Sequence, residues 1–147
     1  MGVWAASRVF EKKDLLLTSC IAVNGTPYPV DDHKGIPVAV FMGTLKSLNE
    51  VSLRKFQRRM CGSNILLESF LNKSPQRTIE DLKNELQAIG EQAVNLSFPS
   101  LIWDKAYISD KDKIFVPDNQ IKAWTETDTI IVDGEHYFED LWKKLLH

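Results

Sequence analysis

The strongest constraint on the fold is an amphipathic pattern near the middle of the chain. Between residues 79 and 93, apolar side chains follow one another in steps of three and four residues: Ile79, Leu82, Leu86, Ile89 and Ala93. Such steps place the side chains on one face of an α-helix. We therefore predict a helix there, and two further helices over residues 46–60 and 64–73. Ser47 and Glu50 have the spacing of a capping box, near the start of the helix predicted at residues 46–60.

Strand and turn patterns precede these helices. Residues 3–10 and 15–23 are apolar and rich in β-branched side chains, and a polar turn separates them. This arrangement predicts a β-hairpin. Residues 36–42 form an apolar run of strand length, so we expect a third, buried strand there.

A second group of strands follows the helices. Residues 101–108 and 113–116 flank another polar turn, which predicts a second hairpin. Residues 129–132 predict one more strand. A helical turn is expected over residues 117–124, and a terminal helix over residues 137–146.

Strands grouped at both ends with helices grouped between them are typical of α+β proteins. We predict one α+β domain over residues 1–147, in which antiparallel β-hairpins at both ends of the chain pack against the central helices and a C-terminal helix. The composition supports an ordered domain, because 44% of the residues are hydrophobic and 26% are charged.

Several features favour a cytoplasmic location. No apolar run approaches the roughly 18 residues needed to cross a bilayer. Charged residues begin at Arg8, which is too early for a signal peptide. The two cysteines, Cys20 and Cys61, are too few for the disulfide framework of a small secreted domain.

Familiar catalytic and cofactor motifs are absent from the sequence. It has no G-x-G-x-x-G, no P-loop, no G-x-S-x-G and no H-E-x-x-H. The seven glycines are scattered, so no loop is expected to surround a phosphate. We therefore predict a protein without catalysis, without a cofactor and without a metal site.

Reactive side chains nevertheless occur at three places. Asp31, Asp32 and His33 are adjacent, and they could begin a metal site if another segment supplied ligands. A solvated turn is the alternative. Cys61 follows a basic run that could lower its pKa, although the pattern favours a buried structural cysteine.

The third place is His136. With Asp133 and Glu135 it could form an acid–base group, or it could be a surface histidine beside carboxylates. A catalytic role for any of these residues requires partners brought together by the fold, which the sequence does not show.

Charge is distributed unevenly along the chain. Four basic side chains share one side of the helix predicted at residues 46–60: Arg54, Lys55, Arg58 and Arg59. This side could bind phosphates of a nucleic acid, or it could be an ordinary solvated face. Residues 101–147 carry six Lys or Arg against ten Asp or Glu, a net charge of −4.

The last third of the chain carries a family resemblance. The strand pattern of residues 113–117 ends at a proline, and Ala123-Trp124 follows after a short spacer. The strand pattern of residues 129–132 and an amphipathic helix around Leu141 and Leu145 come next. This order resembles one group of contact-dependent growth inhibition immunity proteins. The helix departs from that group, because it lacks the small and cysteine residues expected there.

The resemblance implies a cytosolic protein that neutralises the toxic domain of a delivered effector, often a nuclease. Acidic side chains suit this role because a nuclease has a basic cleft. No contact residue is transferred from the family. From charge, we predict these contacts: Asp110, Asp112, Asp118, Glu126, Asp128, Asp133 and Glu135, with Trp124 as an apolar anchor. Partial burial of Trp124 is the alternative, and it is favoured because tryptophan is highly buried on average.

A toxin-binding immunity protein is therefore the leading hypothesis. A nucleic-acid-binding accessory protein that uses the basic helix is the second hypothesis. The third is an enzyme whose site is assembled from distant residues, such as His33, Cys61 or His136.

Overall fold

The computed structural model describes residues 1–10, 16–95 and 102–146. In these ranges the chain forms seven helices and three strands. In chain order they are α1 (Gly2–Phe10), β1 (Ile21–Val23), α2 (Val38–Ser47), α3 (Glu50–Cys61), α4 (Asn64–Lys73), α5 (Ile79–Asn95), β2 (Lys105–Ser109), α6 (Pro117–Ala123), β3 (Asp128–Val132) and α7 (Glu139–Leu146). None of the described helices combines the length and apolar character needed to cross a membrane.

The three strands form one parallel sheet in the order β1-β2-β3. Ala22 is paired with Ala106, and Ala106 with Thr129. Parallel strands cannot be joined by a tight turn, so a long connection must return each time to the same starting edge. Helices α2 to α5 lie in the connection from β1 to β2, and α6 lies in the connection from β2 to β3. All three strands therefore end at the same edge of the sheet.

The apolar core has two clusters of buried side chains, and helix α1 contributes to both. Val3 packs with Ala22, Ala106, Ile108 and Trp124 against the sheet. Its neighbour Trp4 belongs to a second cluster with Ile36, Phe41, Ile89 and Phe115. Because α1 supplies adjacent residues to the two clusters, it fixes the sheet relative to helices α2 and α5.

The predicted α+β fold with antiparallel hairpins at both ends is wrong. Residues 3–10 lie in α1, where Val3, Trp4 and Ser7 are buried at helical spacing. The polar turn that was expected to follow, at residues 11–14, lies outside the described residues. The apolar run 36–42 lies mostly in α2, in which Phe41 is buried but Val38 is 45% and Met42 53% exposed. An apolar run of this length fits a buried strand and a helix equally well, and length alone does not separate them.

The second predicted hairpin is also wrong. Residues 105–109 form β2, but residues 113–116 form an irregular loop that leads into α6. The strand paired with β2 on its far side is β3, and it runs parallel. The helices were placed better: α4 has the predicted bounds, and α3 begins close to the predicted position. Its cap is Asn49 with Ser52, whose side chains accept hydrogen bonds from each other's backbone N–H, instead of Ser47 with Glu50.

Candidate active site

Three loops converge at the carboxyl edge of the sheet, where ligands bind in open α/β sheets. Asn24 follows β1, Asp112 follows β2 and His136 follows β3. Hydrogen bonds between their side chains and backbones join these loops, as described below.

Asp112 is the fixed point of this edge. Its residue is only 3% exposed. Oδ1 accepts hydrogen bonds from the backbone N–H groups of Ile114 at 2.8 Å and Phe115 at 3.0 Å. Oδ2 accepts one from Gln120 Nε2 at 3.2 Å and lies 2.8 Å from His136 Nδ1. With donors on both oxygens, the carboxylate is held in one orientation.

His136 is held on several sides. Its Nδ1 faces Asp112, and its ring stacks on Phe115 with centroids 6.3 Å apart and planes 13° apart. The backbone N–H of the next residue, Tyr137, donates to the carbonyl of Met60 at the end of α3. Among the residues that the structure describes, none hydrogen-bonds to Nε2. A histidine with Nδ1 held by a buried carboxylate and Nε2 free is equipped to take up and return a proton.

His136 opens into a cavity of about 290 Å³, which we call the apolar cavity. This volume lies near the lower end of the range for small-molecule sites, roughly 300–1,000 Å³. Most of its wall is apolar, with side chains that include Phe41, Leu48, Phe56, Leu86 and Phe115. Met1 also lines it.

A second cavity, the basic cavity, adjoins the first. Its volume is about 620 Å³, and it shares wall residues with the apolar cavity, among them Arg59 and Lys113. Lys55 and Arg58 complete its basic wall. Three of the four basic residues singled out in α3 therefore lie together beside the apolar cavity. The fourth, Arg54, lines a different groove, between α3, α4 and α5.

The acidic residues predicted to contact a partner differ in their exposure. Asp110, Asp118, Glu126, Asp128 and Asp133 are exposed, whereas Asp112 is buried within the site. Glu135 is partly buried, and one of its oxygens lies 3.4 Å from Lys113 Nζ. Trp124 is 5% exposed and donates from Nε1 to the carbonyl of Gly25 at 3.1 Å, so it is a core residue and not an exposed anchor.

Asp31, Asp32 and His33 form a turn. Asp31 Oδ1 accepts from the backbone N–H of His33 and Lys34, both at 2.8 Å, and Asp32 Oδ1 accepts from Val38 N at the start of α2. In the described ranges, no group of three or more His, Cys, Asp or Glu is arranged to hold a metal ion.

Cys61 is fully buried, and burial raises the pKa of its thiol. The basic run before it therefore does not activate it, contrary to the reactive-thiol hypothesis.

Residues 1–146 match the model of the family described as pimeloyl-ACP methyl esterase BioG. The chain therefore belongs to the BioG family. The crystal structure of selenomethionine BioG from Haemophilus influenzae is similar in fold, with a TM-score of 0.88 and 38% sequence identity. That similarity covers 99% of this chain and 69% of the crystallised one.

Two curated relatives are also similar in sequence. One is a malonyl-[acyl-carrier protein] O-methyltransferase of Bacteroides fragilis, 50% identical over 148 residues, which cover 99% of this chain and 30% of that protein. The other, from Haemophilus influenzae, is named only as an uncharacterized protein; it is 40% identical over 139 residues, or 93% of this chain and 63% of that protein. The chain thus spans less than two thirds of the length of both.

These comparisons overturn the leading hypothesis. The chain is not an immunity protein, and a toxin domain is not its partner, because the BioG model accounts for 146 residues. The prediction that it is not an enzyme is also wrong, since the family and the Bacteroides relative both carry the names of enzymes. The third hypothesis, an enzyme assembled from distant residues, fits the findings better.

Sequence reasoning singled out His136 but gave it the wrong carboxylates. Asp133 is exposed and Glu135 points towards Lys113, while the partner is Asp112, 24 residues away. Gln120 and Asn24 were missed altogether. A usable signal was present: Asp112 and His136 each follow the end of a predicted strand, in the order Asp then His that α/β hydrolases use. That signal applies only if the strands are parallel.

Proposed function

We propose that this chain carries the acid–base pair and the acyl-binding pocket of an esterase that hydrolyses a methyl ester on an acyl group attached to an acyl carrier protein. The observation that carries the proposal is the His136–Asp112 pair opening into an apolar cavity. The family description supports the same reaction. A cytoplasmic location is part of the proposal, as expected for a biosynthetic enzyme.

The proposed roles follow from the hydrogen bonds. Asp112 holds the proton of His136 on Nδ1, which leaves Nε2 able to accept a proton from an attacking hydroxyl. Attack on the ester carbonyl forms an acyl–oxygen bond, and the ester bond to methoxide breaks. Methoxide takes the proton from His136 and leaves as methanol. Water, activated in the same way, then releases the free carboxylic acid.

We propose a place for the attacking hydroxyl. In α/β hydrolases the nucleophile stands on a tight turn directly before a helix, in the pattern G-x-S-x-G. Helix α1 begins at Gly2, and Met1 lines the same cavity as His136. A serine bonded to the Met1 nitrogen would complete Ser-x-Gly with Met1 and Gly2 and would lie at the wall of the cavity into which His136 opens. Among the described residues, no hydroxyl or thiol is hydrogen-bonded to His136 Nε2.

This placement makes the proposal testable. The chain is prepared with Gly-Ala-Ser ahead of Met1, and a matched control carries Gly-Ala-Ala. Methanol release from a small ester such as methyl butanoate is measured for both. We expect hydrolysis by the serine form alone, with loss of activity in its His136→Ala variant. Equal rates in the serine and alanine forms would refute the nucleophile position, and a fully active His136→Ala variant would refute the esterase.

The basic cavity suits the carrier. An acyl carrier protein presents its acyl group on a phosphate-bearing arm, and Arg and Lys are the side chains that bind phosphates. We propose that the arm passes along Lys55, Arg58, Arg59 and Lys113 into the apolar cavity. Changing Arg58 to Glu should raise KM for a carrier-bound ester about tenfold or more, while the rate on methyl butanoate stays the same. Arg54→Glu is the matched control, because Arg54 lies outside this cavity; an equal effect of both changes would contradict the route.

Methyl transfer is the second candidate, because the Bacteroides relative named as a methyltransferase is 50% identical over nearly the whole chain. That relative is more than three times longer than the matched region, so its name can describe another part of it. Incubation of the chain with S-adenosylmethionine and malonyl-acyl carrier protein separates the two. A methyl ester formed by this chain alone would replace the esterase proposal, whereas the esterase proposal requires that none forms.

A further inference from the structure

Asn24 has a positive φ, which is uncommon for a residue other than glycine. It directly follows β1, is only 5% exposed and has a φ of 47°. Residues other than glycine adopt this left-handed region at an energetic cost, and asparagine tolerates it best. Strained residues of this kind are concentrated at functional sites.

The side-chain amide of Asn24 joins β2 to the loop that carries His136. Oδ1 accepts a hydrogen bond from Ser109 N at 2.8 Å, and Nδ2 donates to Ser109 Oγ at 2.9 Å. Nδ2 also donates to the carbonyl of His136 at 2.8 Å and, over a longer 3.3 Å, to that of Glu135. The amide therefore fixes the backbone of the histidine itself.

The pairing of β1 with β2 does not require this amide. Backbone hydrogen bonds already continue past the strand, since Asn24 N donates to the carbonyl of Tyr107 at 3.0 Å. The loop after β3 has other anchors as well. On the helix side, Tyr137 N bonds to Met60 O, and Glu135 lies near Lys113. On the sheet side, the loop after β2 holds Gly134, because Lys111 N donates to the Gly134 carbonyl and Gly134 N donates to Asp110 Oδ1. Asn24 differs from these anchors because it bonds the carbonyl of His136 itself.

We propose that Asn24 is a positioning residue for His136. By holding the His136 carbonyl, it keeps the imidazole at the distance from Asp112 and in the stack on Phe115 that leave Nε2 facing the cavity. Active-site groups need to be held to within about 0.5 Å of their working geometry. The catalytic meaning of this role rests on the proposed esterase, but the role itself is a property of the fold and can be measured without substrate.

The test uses two variants and one control. Asn24→Gly suits the positive φ but removes every side-chain bond. Asn24→Asp keeps the shape and Oδ1, but it turns a carboxylate oxygen towards two carbonyls. Ser109→Ala is the control, because it removes only the hydroxyl partner and leaves the bonds to the His136 loop.

The measurement is imidazole NMR of the ¹⁵N-labelled chain, with thermal unfolding beside it. In the parent and in Ser109→Ala, the Nδ1–H of His136 should give a low-field proton signal that exchanges slowly with water. In both Asn24 variants that signal should exchange about tenfold faster or disappear, well below the melting temperature. A lower melting temperature with an unchanged imidazole signal in Asn24→Gly would overturn the proposal and assign Asn24 a purely structural role. Because no ester is involved, failure of the esterase proposal would leave this result readable.

Discussion

Replacing Asp112 by Asn separates the chemistry of the site from its stability. The change removes a charge but keeps the shape of the side chain. Asn Oδ1 can still accept from the backbone N–H groups of Ile114 and Phe115. The new NH₂ group, however, takes the place of Oδ2 and faces two donors, Gln120 Nε2 and His136 Nδ1.

The two donors respond differently. His136 can move its proton to Nε2, so that Nδ1 accepts a hydrogen bond from the new amide. Gln120 keeps its bond to the carbonyl of Phe115 at 2.5 Å and loses the other. One unfavourable buried contact remains, which costs about 1–3 kcal/mol of the free energy of unfolding.

The effect on catalysis should be much larger. With its proton on Nε2, His136 cannot accept a proton from a nucleophile. The same exchange in a Ser–His–Asp triad lowers kcat about 10⁴-fold, which corresponds to about 5 kcal/mol of activation free energy. Asp112→Asn should therefore give a folded but nearly inactive protein.

Three measurements check this expectation: imidazole ¹⁵N NMR for the tautomer, urea unfolding for stability, and methanol release by the serine-extended chain. Asp110→Asn is the matched control, because it makes the same charge change on an exposed side chain two residues away. The reasoning fails if Nδ1 of His136 keeps its proton in Asp112→Asn. It also fails if this variant loses no more activity than Asp110→Asn.

Two further predictions concern the surroundings of the site. Gly62 ends α3 with a φ of 72°, and a Cβ there would come within 2.4 Å of the Glu135 side chain. Gly62→Ala should therefore lower the free energy of unfolding by about 1–3 kcal/mol in urea titrations. Gly43→Ala is the control: Gly43 lies in open space on α2, so this change should raise the free energy of unfolding by about 0.5–1 kcal/mol. The Lys73 ammonium and then the Ser69 hydroxyl lower the pKa of Glu139 from 4.5 to about 2. Its contribution to stability is complete above pH 4.5 and is lost as the pH falls towards 2, so the difference between the parent and Glu139→Gln should disappear over that range; a constant difference would contradict it.

Helices were predictable from the sequence where one face is apolar and the other polar. Helix α4 and the long helix α5 follow from spacing alone, and Gly62 marks the end of α3 as a glycine in the left-handed region should. Helix α2 was not predictable in this way, because its exposed side chains are as apolar as its buried one. Its apolar pattern predicts a buried strand, whereas in the structure Phe41 packs in the core and its apolar neighbours are exposed.

Strand direction was the decisive error. Polar turns such as residues 109–112 indicate a hairpin, but this turn leads into a loop and then into a helix instead of a second strand. The Asp112 side chain accepts hydrogen bonds from the backbone N–H groups of Ile114 and Phe115, and the chain continues into α6. Local sequence does not distinguish a turn that joins two antiparallel strands from one that places a buried carboxylate beside a histidine, because both favour Asp. With the sheet antiparallel, Asp112 and His136 are not expected at one edge.

The topology places much of the apolar cavity wall and the Asp112–His136 pair on different connections of the chain. The apolar cavity takes Phe41, Leu48, Phe56 and Leu86 from the connection between β1 and β2, whereas Asp112 and His136 come from the loops after β2 and β3. If the proposed esterase activity holds, substitutions in helices α2, α3 and α5 should change which acyl group fits, while Asp112 and His136 stay on their own loops.

The exception lies at the end of α3. There Met60 accepts a hydrogen bond from Tyr137 N, and Gly62 lies against the side chain of Glu135. These contacts touch the two residues that flank His136. If the proposed carrier binds at the basic side of α3, a shift of that helix would reach the histidine through this junction, while Asn24 holds the same loop from the sheet. His136 is thus held by Asp112 and Phe115 at its ring, and by α3 and Asn24 at the backbone of its loop.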